Sequence, residues 1–323
     1  MHIRKIEFTD VDHLLYLYNL SIKNNELLYK PLTKDQFMLK FMTSTKSYEI
    51  KTFISLSNQK QVGLISGVVV ANKNKAYITF VFVDPNHRRK SIGTKLLNRF
   101  ENYVKINHPS VKEIDIVFFN PIQFEWYIPK TNHHDHPNAP GVDQSSGAAT
   151  FFSKLGYQTY AKQNSYYRYI THYELSVEMH KIIDTLKNQE ITITFYDRHK
   201  HHGFEALFTN LNNPYWQNEI TKAISTHQPV LIAEQNGLVI GFTGPLSVQK
   251  SLRGYFAGIG VHDRYRGYGI GKVLFACLCL ELKKLGAHYM SLFTGENNLA
   301  RKIYEKEDFI IVRSWLNMRK DIK

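Results

Sequence analysis

Apolar and polar positions alternate with period two through residues 1–6 and again through 191–196, and each stretch predicts a half-buried strand. In the second half of the chain, 204–211 and 216–225 carry apolar side chains at helical spacing. The runs 229–233, 238–243 and 255–261 are too short for helices and predict strands. A longer helix is expected to begin near Gly269, to run through Val273, Leu274, Cys277, Leu278 and Leu282, and to stop at Gly286. Residues 288–293 then predict a strand, 298–306 a helix and 309–318 the last strand. Residues 176–186 are amphipathic, with Val177, Ile182, Ile183 and Leu186 apolar, and predict a helix joining two halves.

The chain repeats itself. Gly63 matches Gly241, Val83 matches Val261, Arg88 matches Arg266 and Gly93 matches Gly271, each pair 178 residues apart. Further on, Phe152-Ser153-Lys154-Leu155-Gly156-Tyr157 matches Tyr304-Glu305-Lys306-Glu307-Asp308-Phe309 at an offset of 152. The first half therefore carries 178 − 152 = 26 additional residues. They fall in the segment 120–147, whose Pro121, Pro129, Pro137 and Pro140 predict an ordered long loop. Each half has one coarse order: strand, two helices, three strands, helix, strand, helix, final strand or strands. The expected organisation is a first domain at 1–172 with the loop 120–147 inserted, a linker helix within 173–190, and a second domain at 191–323. The fold class is α/β, an α+β mixed sheet occurring twice in tandem.

A length of 323 residues agrees with two cores, and 43% hydrophobic with 21% charged residues is a globular composition. The longest apolar runs, 62–71 and 273–280, are too short to span a bilayer, and 1–6 has no apolar signal-peptide core. The expected compartment is the cytoplasm, with no membrane partner. Cys277 and Cys279 lie two apart in an apolar stretch and predict structural thiols. The formal charge of +13 suits an anionic partner, yet the basic residues are scattered and no nucleic-acid-binding motif accompanies them.

The strongest chemical signal is Gly260-Val261-His262-Asp263-Arg264-Tyr265-Arg266-Gly267-Tyr268-Gly269-Ile270-Gly271-Lys272, a strand, a glycine-rich turn and a helix start in succession. Glycines let the backbone approach an anion, successive N–H groups converge with the positive end of the helix dipole, and Arg266 and Lys272 add charge. A pyrophosphate would fit. Dinucleotide binding requires Gly-x-Gly-x-x-Gly after an early strand, and the spacing Gly267-x-Gly269-x-Gly271 differs.

Arg-x-x-Gly-x-Gly between a strand and a helix resembles motif A of the GCN5-related N-acetyltransferase (GNAT) superfamily. Asn297-x-x-Ala300-x-x-x-Tyr304, with Phe309 five residues on, is similar to its later motif B. The resemblance implies two tandem GNAT acyl-CoA N-acyltransferase-like domains and an acetyl-CoA-dependent N-acetyltransferase acting directly on a primary amine. It implies backbone pairing of the CoA pantetheine arm around Ile259, Gly260 and Val261, and phosphates on the amides of Gly267, Tyr268, Gly269, Ile270 and Gly271. It further implies an oxyanion donor in the N–H near Val261 and a Tyr304 hydroxyl that assists the departing thiolate. Tyr304 also fits a packing stripe with Leu299, Ala300 and Ile303, and Asn297 either closes the pantetheine channel or caps the following helix. Many family members have a Glu on the fourth strand, but 255–261 has no acid, so the general base is unassigned. A non-catalytic acyl-CoA sensor is the alternative reading.

The first half keeps Arg88 and Gly93 but has Ser91 in place of a glycine and Phe152 in place of Tyr304, and its Arg88-Arg89-Lys90 run is strongly basic. These departures predict that catalysis resides in the second half, leaving Arg88, Arg89, Ser91 and Gly93 as a possible second CoA site. In the inserted loop, Trp126, His134 and His136 are candidate walls of a substrate pocket. The spacing of His133, His134 and His136 does not aim ligands at one ion, so no metal is expected. His199-Lys200-His201-His202 reads as solvated surface.

Overall fold

The computed structural model describes residues 2–118 and 120–322. They form two compact units, one made of the chain up to residue 165 together with 313 onward, the other of 166–312. This division corrects the expected boundaries at two places. Residues 166–190, linker helix included, belong to the second unit, and the last strand from Arg313 onward belongs to the first. Periodicity marks a strand but not its neighbour, and the neighbour decides membership: Met318 pairs with Ile116.

In the first unit, β1 (His2–Lys5) is followed by α1 (Val11–Lys23) and α2 (Lys34–Phe41), then by the antiparallel strands β2 (Glu49–Ser57), β3 (Lys60–Val70) and β4 (Lys75–Val83). Helix α3 (Ile92–Asn107) leads to β5 (Glu113–Ile116), which lies parallel to β4. The chain's last strand pairs antiparallel with the other edge of β5. The inserted loop carries three two-residue strands, β6 (Trp126–Tyr127), β7 (Asp135–His136) and β8 (Val142–Asp143). It leads into α4 (Gly147–Lys154) and β9 (Gln158–Tyr169).

Strand β3 is buried along nearly its whole length, because helices cover both faces of this sheet. On one face α3 sets Ile92, Leu96, Leu97, Phe100 and Val104, spaced at three to four residues, against Phe53, Ile65 and Ile78. On the other, Val11, Leu14, Tyr18, Phe37 and Phe41 of α1 and α2 meet Ile54, Leu64, Val68 and Phe80. Burying each of these side chains is worth about 1.5–3 kcal/mol. Gly67 sets the distance of α3 from the sheet, since a Cβ there would fall inside the space of the Phe100 ring and 2.6 Å from the Tyr77 carbonyl oxygen.

The second unit opens with α5 (Val177–Lys187), capped by the Ser176 hydroxyl, which accepts from Met179 N. Then come β10 (Ile191–Phe195), α6 (Phe204–Leu211), α7 (Pro214–Ser225), β11 (Leu231–Gln235), β12 (Leu238–Gly244), β13 (Ser247–Val248), β14 (Arg253–Tyr255), β15 (Gly258–Val261), α8 (Ile270–Lys284), β16 (Tyr289–Gly295), α9 (Arg301–Lys306) and the start of β17 (Ile310–Asp321). Helix α6 has the expected bounds, and α8 ends two residues before Gly286, whose φ of +92° suits glycine. The single strand expected at 255–261 is two: β14 pairs parallel with β16, whereas β15 pairs antiparallel with β12. Cys279 is buried and Cys277 partly so, and burial pushes the Cys277 thiol up to about 11, as a structural thiol requires. Among the described residues no helix is long and apolar enough to cross a membrane.

Replacing Gly67 by Ala should therefore force α3 away from β3 and cost about 1–3 kcal/mol. Urea unfolding would show it as a lower midpoint at unchanged slope, and a midpoint equal to wild type would contradict this packing.

Candidate functional site

Strand β4 pairs with β5 only at Ala76↔Ile114 and Tyr77↔Asp115, after which the two separate. Beyond that point the first unit holds a cleft of about 860 Å³, lined on one side by residues 78–83 of β4 and at one end by the turn from His87 to Thr94. Leu27 and Tyr29, Asp143 at the end of β8, and Phe152 of α4 complete its walls. The backbone of β4 is oriented to use this space. Gly63 faces Val83, and Asp84 N–H, one residue on, donates to the Val62 carbonyl at 2.9 Å. By the alternation of an antiparallel ladder, the Val83 N–H then points to the open edge.

The turn explains why Arg88, Arg89, Ser91 and Gly93 occur together. Arg89 (φ +61°) and Ser91 (φ +58°) both adopt the left-handed conformation, as do their counterparts Gly267 (φ +92°) and Gly269 (φ +86°). The first unit thus holds the glycine turn's backbone without its glycines, at a strain of about 1–2 kcal/mol per residue. Ser91 is accordingly no disruption of the turn, contrary to what its residue type suggests. The amides that follow open α3 and receive the positive end of its dipole. Arg88 is fixed by Nε donating to the Val83 carbonyl at 3.1 Å and stands 3.7 Å from Glu26, while Arg89 is exposed.

In the second unit the corresponding residues lie on β15 and on the turn into α8. Val261 faces Gly241, and His262 N–H donates to the Ile240 carbonyl at 2.9 Å, so the Val261 N–H is also turned away from β12. Gly260 is buried, where a Cβ would stand 2.6 Å from Leu211, and Ile259 is half-buried. Around Gly267 a Cβ would meet nothing within 4 Å, and Tyr268 is 52% exposed. Arg266 pairs with Asp263 at 2.6 Å. Gly271 lets α8 approach Ile303, Ile270 is buried at the helix start, and Lys272 is half-buried.

Tyr304 is 7% exposed, with its ring 4.8 Å from Phe275 and 6.0 Å from Tyr166, and burial pushes its hydroxyl up to about 12. It packs in the core, although Leu299, the first residue of the expected stripe, is 75% exposed and α9 begins only at Arg301. Asn297 is exposed, and it is Asn298, not Asn297, whose Oδ1 accepts from Ala300 N at 2.9 Å at the start of α9.

The inserted loop reaches the cleft through residues other than those expected. Trp126 is wholly buried, its Nε1 donates to the Asn138 carbonyl at 2.8 Å, and its ring stacks on His136 at 5.4 Å and meets Trp315 edge-on at 5.3 Å. His136 is buried, His134 is half-buried, and none of the three lines the cleft. Gly141, Val142 and Asp143 do. Sequence reasoning missed Asp143, Tyr29 and Val83. Only Val83 had a signal available, its 178-residue offset from Val261.

The sequence model of the acetyltransferase (GNAT) family matches residues 16–114 and 189–309, which together cover more than half of the chain and lie one in each half. The chain belongs to the GNAT family. Its fold is similar to that of a GCN5-related glucosamine N-acetyltransferase region in a fungal multi-domain GH3 beta-N-acetylglucosaminidase (TM-score 0.71, 18% identity), a likeness covering 98% of this chain and 38% of that one. This chain thus spans under two fifths of the length of the fungal protein. A GCN5-related N-acetyltransferase from Sphaerobacter thermophilus matches at TM-score 0.64 and 12% identity over 100% of this chain and 96% of its own. A tandem GNAT protein from the clavulanic acid biosynthesis pathway matches at TM-score 0.60 and 13% identity, over 100% and 98%. At such identities the likeness shows the fold, two GNAT-type regions in tandem. No curated protein sequence matches the chain. Acyl transfer is the family's general chemistry.

Two outcomes follow from this geometry. Ser91→Gly removes left-handed strain, so it should leave thermal stability equal or raise it by up to about 1 kcal/mol, and a clear loss would mean that the Ser91 hydroxyl holds the turn. Trp126→Phe leaves the Asn138 carbonyl without its donor and should cost about 1–3 kcal/mol in urea unfolding. No change in stability would show that this bond does not hold the loop.

Proposed function

We propose that the chain transfers an acyl group from acetyl-CoA directly to a primary amine, with the thioester held in the cleft of the first unit. The cleft itself carries this reading: it opens where β4 and β5 separate and ends at a helix-opening turn whose Arg88, Arg89 and amide groups suit phosphates. The pantetheine arm would pair with the edge of β4 between Ile78 and Val83, and the Val83 N–H would face the oxyanion formed when the amine attacks the thioester carbonyl. Transfer needs the two substrates held together and the charge on oxygen stabilised, and a preformed cleft with an aligned N–H supplies both.

This reading moves the chemistry from the second half to the first. The expectation rested on Ser91 and Phe152. The turn conformation removes the objection to Ser91. Phe152, which lines the cleft, still offers no proton to a thiolate. A second reading, with CoA on the amides of residues 267–271 and Tyr304 beside the leaving thiol, is favoured by the open space at Gly267. The fungal region carries glucosamine in its description, so amino sugars head the acceptors to be tried.

Acetyl-CoA binding by titration calorimetry and CoA release with glucosamine, putrescine and benzylamine would test the proposal. Ser91→Asp sets a carboxylate against the phosphates and should weaken acetyl-CoA binding at least tenfold and suppress CoA release, whereas Gly269→Asp should leave release within about threefold of wild type. The reverse pattern, with Tyr304→Phe lowering turnover, would favour the second unit. Binding without CoA release to any amine would make the chain an acyl-CoA sensor.

A further inference from the structure

A cleft that works on amines needs a group to take the acceptor's positive charge, and β4 has no acid along residues 75–83. Two carboxylates line the cleft, Glu26 and Asp143. Glu26 stands at an exposed position 3.7 Å from the Arg88 guanidinium, on the side of the basic turn. Asp143 is 19% exposed and is the end of a built arrangement. β8 pairs antiparallel with β17, with Asp143 opposite Trp315, which fixes the backbone. Oδ1 accepts from Ser145 N at 3.0 Å and from Ser145 Oγ at 2.8 Å, and Oδ2 accepts from Arg313 Nη1 at 2.6 Å.

Three donors fill three of the roughly four acceptor sites of a carboxylate, leaving room for one more. Tyr29 lies on the same cleft, with its ring set by Phe124 at 5.2 Å and Phe80 at 5.8 Å. Burial first and then the charge of Asp143 push its hydroxyl up to about 12, which agrees with the two facing a common space.

We propose that Asp143 is the acceptor-side carboxylate of this cleft, binding the ammonium of a cationic primary amine and taking its proton. The inference rests on the acyl-transfer reading of the same cleft. One proton of the ammonium passes to Asp143 and on to solvent. The freed lone pair forms the C–N bond at the thioester carbonyl, the C–S pair leaves on sulfur, and the second nitrogen proton ends on the CoA thiol. The inserted loop thereby supplies the acid that the strand lacks, and the pairing of β8 with β17 together with the Ser145 and Arg313 contacts holds that acid in place.

The test compares two nucleophiles on one variant. Benzylamine is cationic at neutral pH and must lose a proton before attack, whereas O-methylhydroxylamine is already neutral. Asp143→Asn should lower kcat/KM for benzylamine by about a hundredfold or more while leaving that for O-methylhydroxylamine and the acetyl-CoA Kd within about threefold of wild type. Asp143→Glu should recover part of the loss. Because both nucleophiles meet the same folded protein, a misfolded variant would lower both rates. Equal losses, or none, would overturn the role of Asp143 while leaving acyl transfer standing. A wild-type chain that releases CoA with neither nucleophile would overturn the acyl-transfer reading and this inference together.

Discussion

Strands β4 and β5 hold each other for two residue pairs and then separate, and the first unit's chemistry depends on that separation. A parallel ladder that continued would satisfy every inward N–H and carbonyl of β4 and leave no space between the strands. Stopping after Tyr77 leaves the rest of the inward edge of β4 outside the β4–β5 ladder, with the Ile78 carbonyl accepting from Asn120 Nδ2 and the Val83 carbonyl from Arg88 Nε, both at 3.1 Å. That edge is costly unless water or a ligand completes it, and the arm of an acyl carrier, a short chain of amides, has the right groups. The other edge of β5 is occupied by the chain's last strand, so β5 keeps its place while β4 diverges.

The turn at the end of this edge shows how a backbone conformation can outlast its preferred residues. Gly267 and Gly269 adopt positive φ at no steric cost, whereas Arg89 and Ser91 take the same angles against the usual penalty for L-residues. Such strain persists only where the surroundings enforce it. Here α3 is anchored one turn later by Ile92, Leu96 and Leu97 in the core, and Arg88 is tied to the Val83 carbonyl. The first unit keeps the turn and exchanges glycine's freedom for a positive charge at Arg89.

Much of the architecture was legible in the chain. The constant offset between halves reports a shared element order, and the spacing of apolar residues placed α6 and α8 to within a residue or two. What it could not report was pairing across long sequence distances. β14 and β15 read as one apolar run because Phe256 and Ala257, where the strand changes partner, are as apolar as their neighbours. The assignment of residues 313–323 to the first unit depends on the contact of Met318 with Ile116, 202 residues away, which leaves no local pattern. The inserted loop misled for a related reason. Trp126 and His136 looked functional by type, yet they form its small core, and the residues that reach the cleft include Gly141, Val142 and the plain Asp143.

Hydrogen–deuterium exchange of the intact chain, with and without acetyl-CoA, tests most directly whether the first unit's cleft is the donor site. A molecule lying along the inward edge of β4 and on the turn should slow exchange of backbone amides at residues 78–94 and 141–155, and leave those at 258–272 unchanged. Protection at 258–272 with none at 78–94 would contradict the assignment.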